Sequence, residues 1–121
     1  MQTEKRAEEL LVAHLERSAW RVARQVSLGA KRVDILAERD GQLWAIEVKL
    51  RDWRRGAAQA FLNAAYVDKS YVALPRNAGR RLDNAAFDEL GIGLIEFDDD
   101  GWTEERPSAT SGRGPKVRLR G

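Results

Sequence analysis

The chain has 121 residues, 43% of them hydrophobic, which suits one domain with a packed core and leaves little room for a second. It has no cysteine and a single histidine, His14, which excludes disulfides, zinc–thiolate centres and histidine-rich metal sites. Any metal site must therefore use oxygen ligands, which suit Mg²⁺, Mn²⁺ or Ca²⁺. The net charge of +2 and the excess of arginine over lysine permit nucleic-acid binding, since arginine makes bidentate phosphate contacts.

The first half of the chain is predicted to form a helix and three strands. Apolar residues recur at helical spacing over residues 3–18, and residues 20–28, 32–38 and 43–50 have the composition of strands. Between the last two strands, Asp40-Gly41 is a strong signal for a hairpin with a two-residue turn.

The second half is predicted to alternate helices and strands. Helices are expected over residues 53–67, with Asp52 as N-cap, and over residues 77–90, ending at Gly91. Strands are expected over 70–74 and 92–97. The resulting order, αβββαβαβ, predicts an α/β fold with a central mixed five-stranded sheet flanked by helices. Residues 1–103 would form this domain, and the Pro-, Ser-, Gly- and Arg-rich residues 104–121 a flexible basic tail.

Three charged residues, Asp34, Glu47 and Lys49, interrupt segments that otherwise have the pattern of buried strands. Burying charge is costly unless something compensates it, and a divalent cation between the two carboxylates would do so. The alternative is a solvated strand face that carries an ordinary ion pair.

The Asp-Gly turn makes this a geometric prediction. A two-residue turn places Asp34 directly opposite Glu47, with Cβ atoms about 5 Å apart, and like charges in that position are destabilising. Lys49 lies two residues beyond Glu47 on the same face. The two carboxylates and the backbone carbonyl of Val48 could hold a hard cation, and Lys49 could stabilise charge on a phosphate or position the attacking water. Phosphodiester hydrolysis fits this set of groups.

Asp34, followed after twelve residues by Glu47-Val48-Lys49 within that element order, resembles the PD-(D/E)xK nuclease superfamily, whose members have the restriction-endonuclease-like fold. The resemblance covers about residues 3–97, and Val33 stands where many members have proline. Within the superfamily the similarity is strongest to small archaeal nucleases of the Holliday-junction-resolvase type. It implies a Mg²⁺- or Mn²⁺-dependent deoxyribonuclease of the repair or recombination type, structure-selective and homodimeric.

Nucleases of that type carry a glutamate in the first helix that contributes to the metal site. Alignment on Trp20 gives this role to Glu8, and Glu9 and Glu4 are competing candidates. The alternative is that all three face solvent near the helix N-terminus, where acidic residues are favourable.

Other residues near the motif are candidates for contact with DNA. Some superfamily members carry a glutamine in the helix after the motif, which corresponds to Gln59; Asn63 stands where the RecB-like motif has tyrosine, and a surface glutamine is the alternative. Basic side chains beside the motif could contact backbone phosphates. The candidate DNA-binding set is Lys31, Arg32, Arg51, Arg54, Arg55 and Gln59.

A metal-dependent nuclease is therefore the leading interpretation. The alternatives are a non-catalytic nucleic-acid-binding module that keeps the fold and an interaction domain that docks through its tail. The N-terminus has no signal-peptide pattern and no stretch is apolar enough to cross a membrane, so we expect a cytoplasmic protein without a membrane partner.

Overall fold

The computed structural model describes residues 2–78, 82–112 and 114–119. The elements are α1 (Glu4–Arg17), β1 (Arg21–Leu28), β2 (Lys31–Arg39), β3 (Gln42–Val48), α2 (Trp53–Asn63), β4 (Lys69–Pro75), α3 (Asn84–Leu90), β5 (Gly93–Phe97) and β6 (Trp102–Arg106). The strands form one sheet in the order β1 to β6. The pairs β3–β4 and β4–β5 are parallel and the others antiparallel. The predicted αβββαβαβ core is confirmed, with six strands instead of five.

The β2–β3 hairpin has the predicted turn. Asp40 and Gly41 have φ values of 54° and 78°, as a type I′ turn requires. Arg39 pairs with Gln42, and the ladder continues without a shift to Ile35 opposite Ile46. The predicted register is therefore confirmed from the turn to Ile35–Ile46, and Asp34 and Glu47 are the next residues along the two strands.

Helices cover both faces of the sheet. On one face α1 buries Ala7, Leu11 and Leu15 against side chains of the central strands. On the other face α2 and α3 pack on β4 and β5, with Trp53 and Phe87 at the centre of that cluster. Each fully buried large apolar side chain contributes about 1.5–3 kcal/mol relative to exposure, so this two-sided burial fixes the central strands rigidly. Within the described residues, no helix is long and apolar enough to span a bilayer.

Two helices are shorter than predicted. Helix α3 begins at Asn84 rather than at residue 77, because Asn77 has a φ of 76°, which a right-handed helix excludes, and because the Asp83 side chain caps the new N-terminus. Residues 79–81 of the predicted range lie outside the described residues. Helix α2 ends at Asn63 rather than at residue 67, since the N–H of Tyr66 turns back to the carbonyl of Asn63 at 2.9 Å.

The chain beyond residue 103 differs from the predicted tail. The proposed boundary falls inside β6, which pairs with β5 from Trp102 onward. Farther on, the buried Ser108 hydroxyl accepts from the N–H of Ser70 at 3.0 Å, and the N–H of Lys116 donates to the carbonyl of Tyr66 at 2.9 Å. The sequence pattern missed β6 because it is an edge strand whose central residues are polar and exposed.

Candidate active site

The site begins where β2 and β3 separate. Their last paired residues are Ile35 and Ile46. One step farther along β2, Asp34 Oδ2 accepts a hydrogen bond from the backbone N–H of Val48 at 2.8 Å. The Asp34 carboxylate is thus the hydrogen-bond acceptor for a backbone N–H that lies beyond the end of the β2–β3 ladder. This hydrogen bond holds the Asp34 side chain at the edge of the opening between the two strands.

Glu47 lies on β3 with only 1% of its surface exposed. The side-chain amide of Asn63 donates to Glu47 Oε2 at 2.8 Å, and Lys31 Nζ lies 3.6 Å from the same oxygen. Burial raises the pKa of Glu47 above its ordinary value, the Asn63 hydrogen bond opposes this, and the charge of Asp34 raises the pKa further. Burial and the charge of Asp34 therefore both disfavour a negative charge on Glu47, which the Asn63 hydrogen bond partly offsets.

Asn63 links Glu47 to a basic partner. Its amide oxygen accepts from Lys31 Nζ at 3.1 Å, and Lys31 also reaches the backbone carbonyl of Gln59 at 3.4 Å. Lys31 is thus directed into the site, although the sequence nominated it for contact with DNA phosphate. Asn63 itself is fully buried. Sequence reasoning did not assign it to the site, and the available signal was a polar residue on the apolar face of a helix.

Lys49 extends the same strand and is 8% exposed. Its ammonium makes no hydrogen bond or ion pair with any part of the chain that the structure describes. Its side chain passes against Gly56 of α2, where an added Cβ would lie 2.9 Å from Lys49 Cγ and 3.0 Å from a methyl carbon of Val72. Gly56 therefore provides the space that allows α2 to pack beside Lys49.

Gly56 gives a test of how Lys49 is positioned. We expect Gly56→Ala to displace the Lys49 side chain and, under the nuclease function proposed below, to lower cleavage activity by up to about 10²-fold, because small misplacements of a catalytic group have effects of that size. Stability should change little, since the roughly 1 kcal/mol gain in helix propensity offsets part of the clash. Cleavage assays and thermal melting measure the two effects. Gly101→Ala, with open space around the position, is the matched control; equal activity in both variants would contradict this role.

Glu8 of α1 approaches Asp34 from the other face of the sheet. It is 5% exposed, and its Oε2 accepts from Arg24 Nε at 2.7 Å. Its Oε1 accepts from the side-chain amide of Gln25 at 2.9 Å, and the same nitrogen lies 3.4 Å from Asp34 Oδ1. These side chains line a cleft of about 340 Å³ that also contains Glu4, Lys5 and Val48.

The three glutamates proposed for α1 differ in position. Glu8 is buried and connected to Asp34 through Gln25. Glu4 is exposed at the edge of the cleft, with its carboxylate 3.4 Å from the N–H of Leu50, and Glu9 is exposed. Glu8 is therefore the buried member of the set and the one linked to Asp34, while Glu4 lines the same cleft from an exposed position.

The donor atoms of the site suit a hard divalent cation. Asp34, Glu47 and the Val48 carbonyl are oxygen donors on one hairpin, and a cation would relieve the repulsion between the two carboxylates. A buried acceptor, Gln59 Oε1, has no hydrogen-bond partner in the described part of the chain and lies on α2 one turn before the helix ends. Across residues 2–78, 82–112 and 114–119, however, no three acidic or histidine side chains are grouped as a ready-made metal site. The candidate ligands for a cation are therefore two carboxylates, those of Asp34 and Glu47, and the carbonyl of Val48. Glu8 is bonded to Arg24 and Gln25 instead.

Cationic side chains lie around the start of α2 and on β2. Arg32, Arg51 and Arg55 are exposed and make no ion pair within the described segments. The Arg54 guanidinium lies 4.5 Å from the centre of the Trp53 ring, which directs it along the apolar surface between α2 and α3. Three of the nominated arginines are therefore available to an external anion, whereas Arg54 is stacked on an aromatic ring.

Comparisons with known proteins are consistent with this fold. No protein-family model and no curated protein match the chain. Among solved structures, a protein of unknown function from Silicibacter pomeroyi, SPO1766, aligns with a TM-score of 0.64 and 19% identity over 92% of this chain and 75% of that one. An XisH family protein from Nostoc punctiforme aligns with a TM-score of 0.59 and 20% identity, over 80% of this chain and 95% of that one. An fdxN element excision controlling factor protein from Anabaena variabilis aligns with a TM-score of 0.57 and 19% identity, over 79% of this chain and 94% of that one. The chain therefore shares its fold with these proteins.

Proposed function

We propose that this protein is a divalent-metal-dependent nuclease that hydrolyses phosphodiester bonds in DNA and selects its substrate by DNA structure. The observation that carries the proposal is the β2–β3 register, in which Asp34 and Glu47 follow the last ladder pair and Lys49 follows Glu47. An ordinary strand pair gains nothing from two facing carboxylates, one of them almost fully buried.

Each residue has a defined chemical task in this proposal. Asp34, Glu47 and the carbonyl of Val48 would hold Mg²⁺ or Mn²⁺. The bound ion would lower the pKa of a water molecule and polarise a phosphoryl oxygen. Lys49, with an unengaged ammonium at the end of a buried stem, stabilises negative charge that develops on the phosphate. Asn63 holds the Glu47 carboxylate in place through its hydrogen bond to Oε2.

The surrounding charge supports DNA as the substrate class. Arg32, Arg51 and Arg55 are exposed beside the motif and can neutralise backbone phosphates. One fold neighbour is named an excision controlling factor, a name in keeping with DNA as a partner. The described residues form one such site, so cutting both strands of a duplex calls for two copies, and a homodimer is part of the proposal.

A cleavage assay tests the proposed activity. Supercoiled plasmid, a four-way junction and single-stranded DNA are incubated with the protein in Mg²⁺, in Mn²⁺ and in EDTA. We expect metal-dependent cleavage, strongest on the junction, which disappears in Asp34→Asn. Asp100→Asn, an exposed position in the β5–β6 turn, is the matched control. Activity that survives in Asp34→Asn would rule out the assigned site.

A second function is favoured by one specific observation. Glu8 pairs with the Arg24 guanidinium and accepts from the Gln25 amide, and Glu47 accepts from the Asn63 amide with Lys31 Nζ 3.6 Å away, so these carboxylates have partners without a metal ion. A non-catalytic nucleic-acid-binding module could use this arrangement as it stands. Calorimetric titration with Mn²⁺ separates the two functions: binding that depends on Asp34 supports the nuclease, and the absence of binding supports the binding module.

A further inference from the structure

Gln25 lies on β1 opposite Asp34, one of the proposed metal ligands. In the β1–β2 ladder Arg24 pairs with Ile35 and Val26 pairs with Val33, which puts Gln25 opposite Asp34. On the β3 side, Asp34 lies one step beyond the last ladder pair, Ile35–Ile46, and accepts from the N–H of Val48 at 2.8 Å. Asp34 therefore lies between the Gln25 position on β1 and the Glu47-Val48 segment of β3.

The backbone of Gln25 is unusual for a strand. Its φ is 52°, a left-handed conformation that is unfavourable for a residue with a Cβ atom. Its neighbours on both sides pair with β2, whereas Gln25 and Asp34 interrupt the ladder. Backbone outliers of this kind persist only where surrounding contacts hold them, and they cluster at functional sites.

The side chain of this exposed residue reaches two carboxylates. Gln25 Nε2 lies 2.9 Å from Glu8 Oε1 and 3.4 Å from Asp34 Oδ1. Both neighbours are carboxylates, which only accept hydrogen bonds when ionised, so the amide nitrogen must face them. Its two N–H groups bridge an acid on α1 and an acid on β2.

We propose that Gln25 is a positioning residue that competes with the divalent cation for Asp34 and so sets the metal affinity of the site. This inference rests on the proposed function, because it assumes that Asp34 is a metal ligand. In the metal-free protein the amide shares its hydrogens between Glu8 and Asp34. When an ion binds, Asp34 exchanges the amide for the cation, and the hydrogen bond that is lost weakens the net binding.

The test is calorimetric Mn²⁺ binding to Gln25→Ala and Gln25→Gly. Both variants should bind Mn²⁺ about fivefold more tightly than the wild type, a change of about 1 kcal/mol and the typical worth of one hydrogen bond. Thermal melting in EDTA separates the backbone from the side chain, because Gln25→Gly removes the left-handed strain and should be more stable than Gln25→Ala. A purely structural role for Gln25 would leave Mn²⁺ affinity unchanged or weaken it.

Two controls distinguish this inference from the proposed function. Ser27→Ala, an exposed position on the same strand, should bind Mn²⁺ as the wild type does. Asp34→Asn should abolish binding. If binding depends on Asp34 but neither Gln25 variant binds more tightly, the role of Gln25 is overturned and the nuclease site stands. If binding does not depend on Asp34, both proposals fail.

Discussion

Replacing Lys49 with methionine should slow DNA cleavage by about 10²- to 10³-fold, the usual effect of removing one group that stabilises the charge of a transition state. Methionine keeps most of the buried stem and removes the ammonium, so the packing beside Gly56 should survive. Mn²⁺ affinity should hold or rise slightly, because Lys49 is a cation near Glu47 rather than a ligand. Single-turnover cleavage of a labelled four-way junction measures the effect.

Lys69→Met is the matched control for this experiment. Lys69 pairs with Trp44 at the opposite end of the β3–β4 ladder, and its ammonium lies 5.9 Å from the centre of the Trp44 ring. The same substitution there removes the same charge far from the motif. Cleavage by Lys49→Met at close to the wild-type rate, or an equal loss in Lys69→Met, would show that Lys49 has no specific catalytic role.

Asn63→Leu should destabilise the metal-free protein by about 3 kcal/mol, because it leaves the buried Glu47 carboxylate without its amide donor. Lys31 loses an acceptor in the same change. The double variant Asn63→Leu with Glu47→Leu should recover much of this loss, since replacing both partners with apolar groups removes the uncompensated charge. Urea unfolding in EDTA measures both variants.

The pH dependence of the Asn63→Leu variant gives a second readout. Burial raises the pKa of Glu47 in the folded protein, and the Asn63 hydrogen bond lowers it, so losing Asn63 raises the pKa further. At a pH between the ordinary pKa of 4.5 and the raised pKa of Glu47 in the folded protein, the folded state binds more protons than the unfolded chain. The free energy of unfolding of the Asn63→Leu variant therefore falls as the pH rises through this window and recovers as the pH falls. A deficit that is independent of pH, or that grows on acidification, would contradict this account of Glu47.

The parts of the fold that depend on local chemistry could be predicted from the sequence. Asp40-Gly41 determines a type I′ turn by itself, and the register of β2 and β3 follows from it. The facing positions of Asp34 and Glu47 are a consequence of that turn. The PD-(D/E)xK resemblance therefore led to a specific geometric expectation, which the ladder confirms up to the neighbouring pair.

The parts that depend on packing could not be predicted. Strand β6 has no apolar alternation because its outer face is solvated, and only pairing with β5 defines it. Lys31 and Asn63 reach Glu47 only once α2 is packed against β3, a contact between distant parts of the chain. The left-handed conformation of Gln25, whose side chain bridges Glu8 and Asp34, has no sequence signal, since glutamine rarely adopts it.

A crystal structure of the protein soaked in Mn²⁺, with anomalous diffraction data, tests the central claim most directly. The claim predicts one anomalous peak within bonding distance of Asp34, Glu47 and the carbonyl oxygen of Val48, with the Gln25 amide turned away from Asp34. A map with no peak there, in which Glu47 still bonds to Asn63 and Gln25 still bridges Glu8 to Asp34, would mean that the carboxylates serve the fold and would contradict a metal-dependent nuclease.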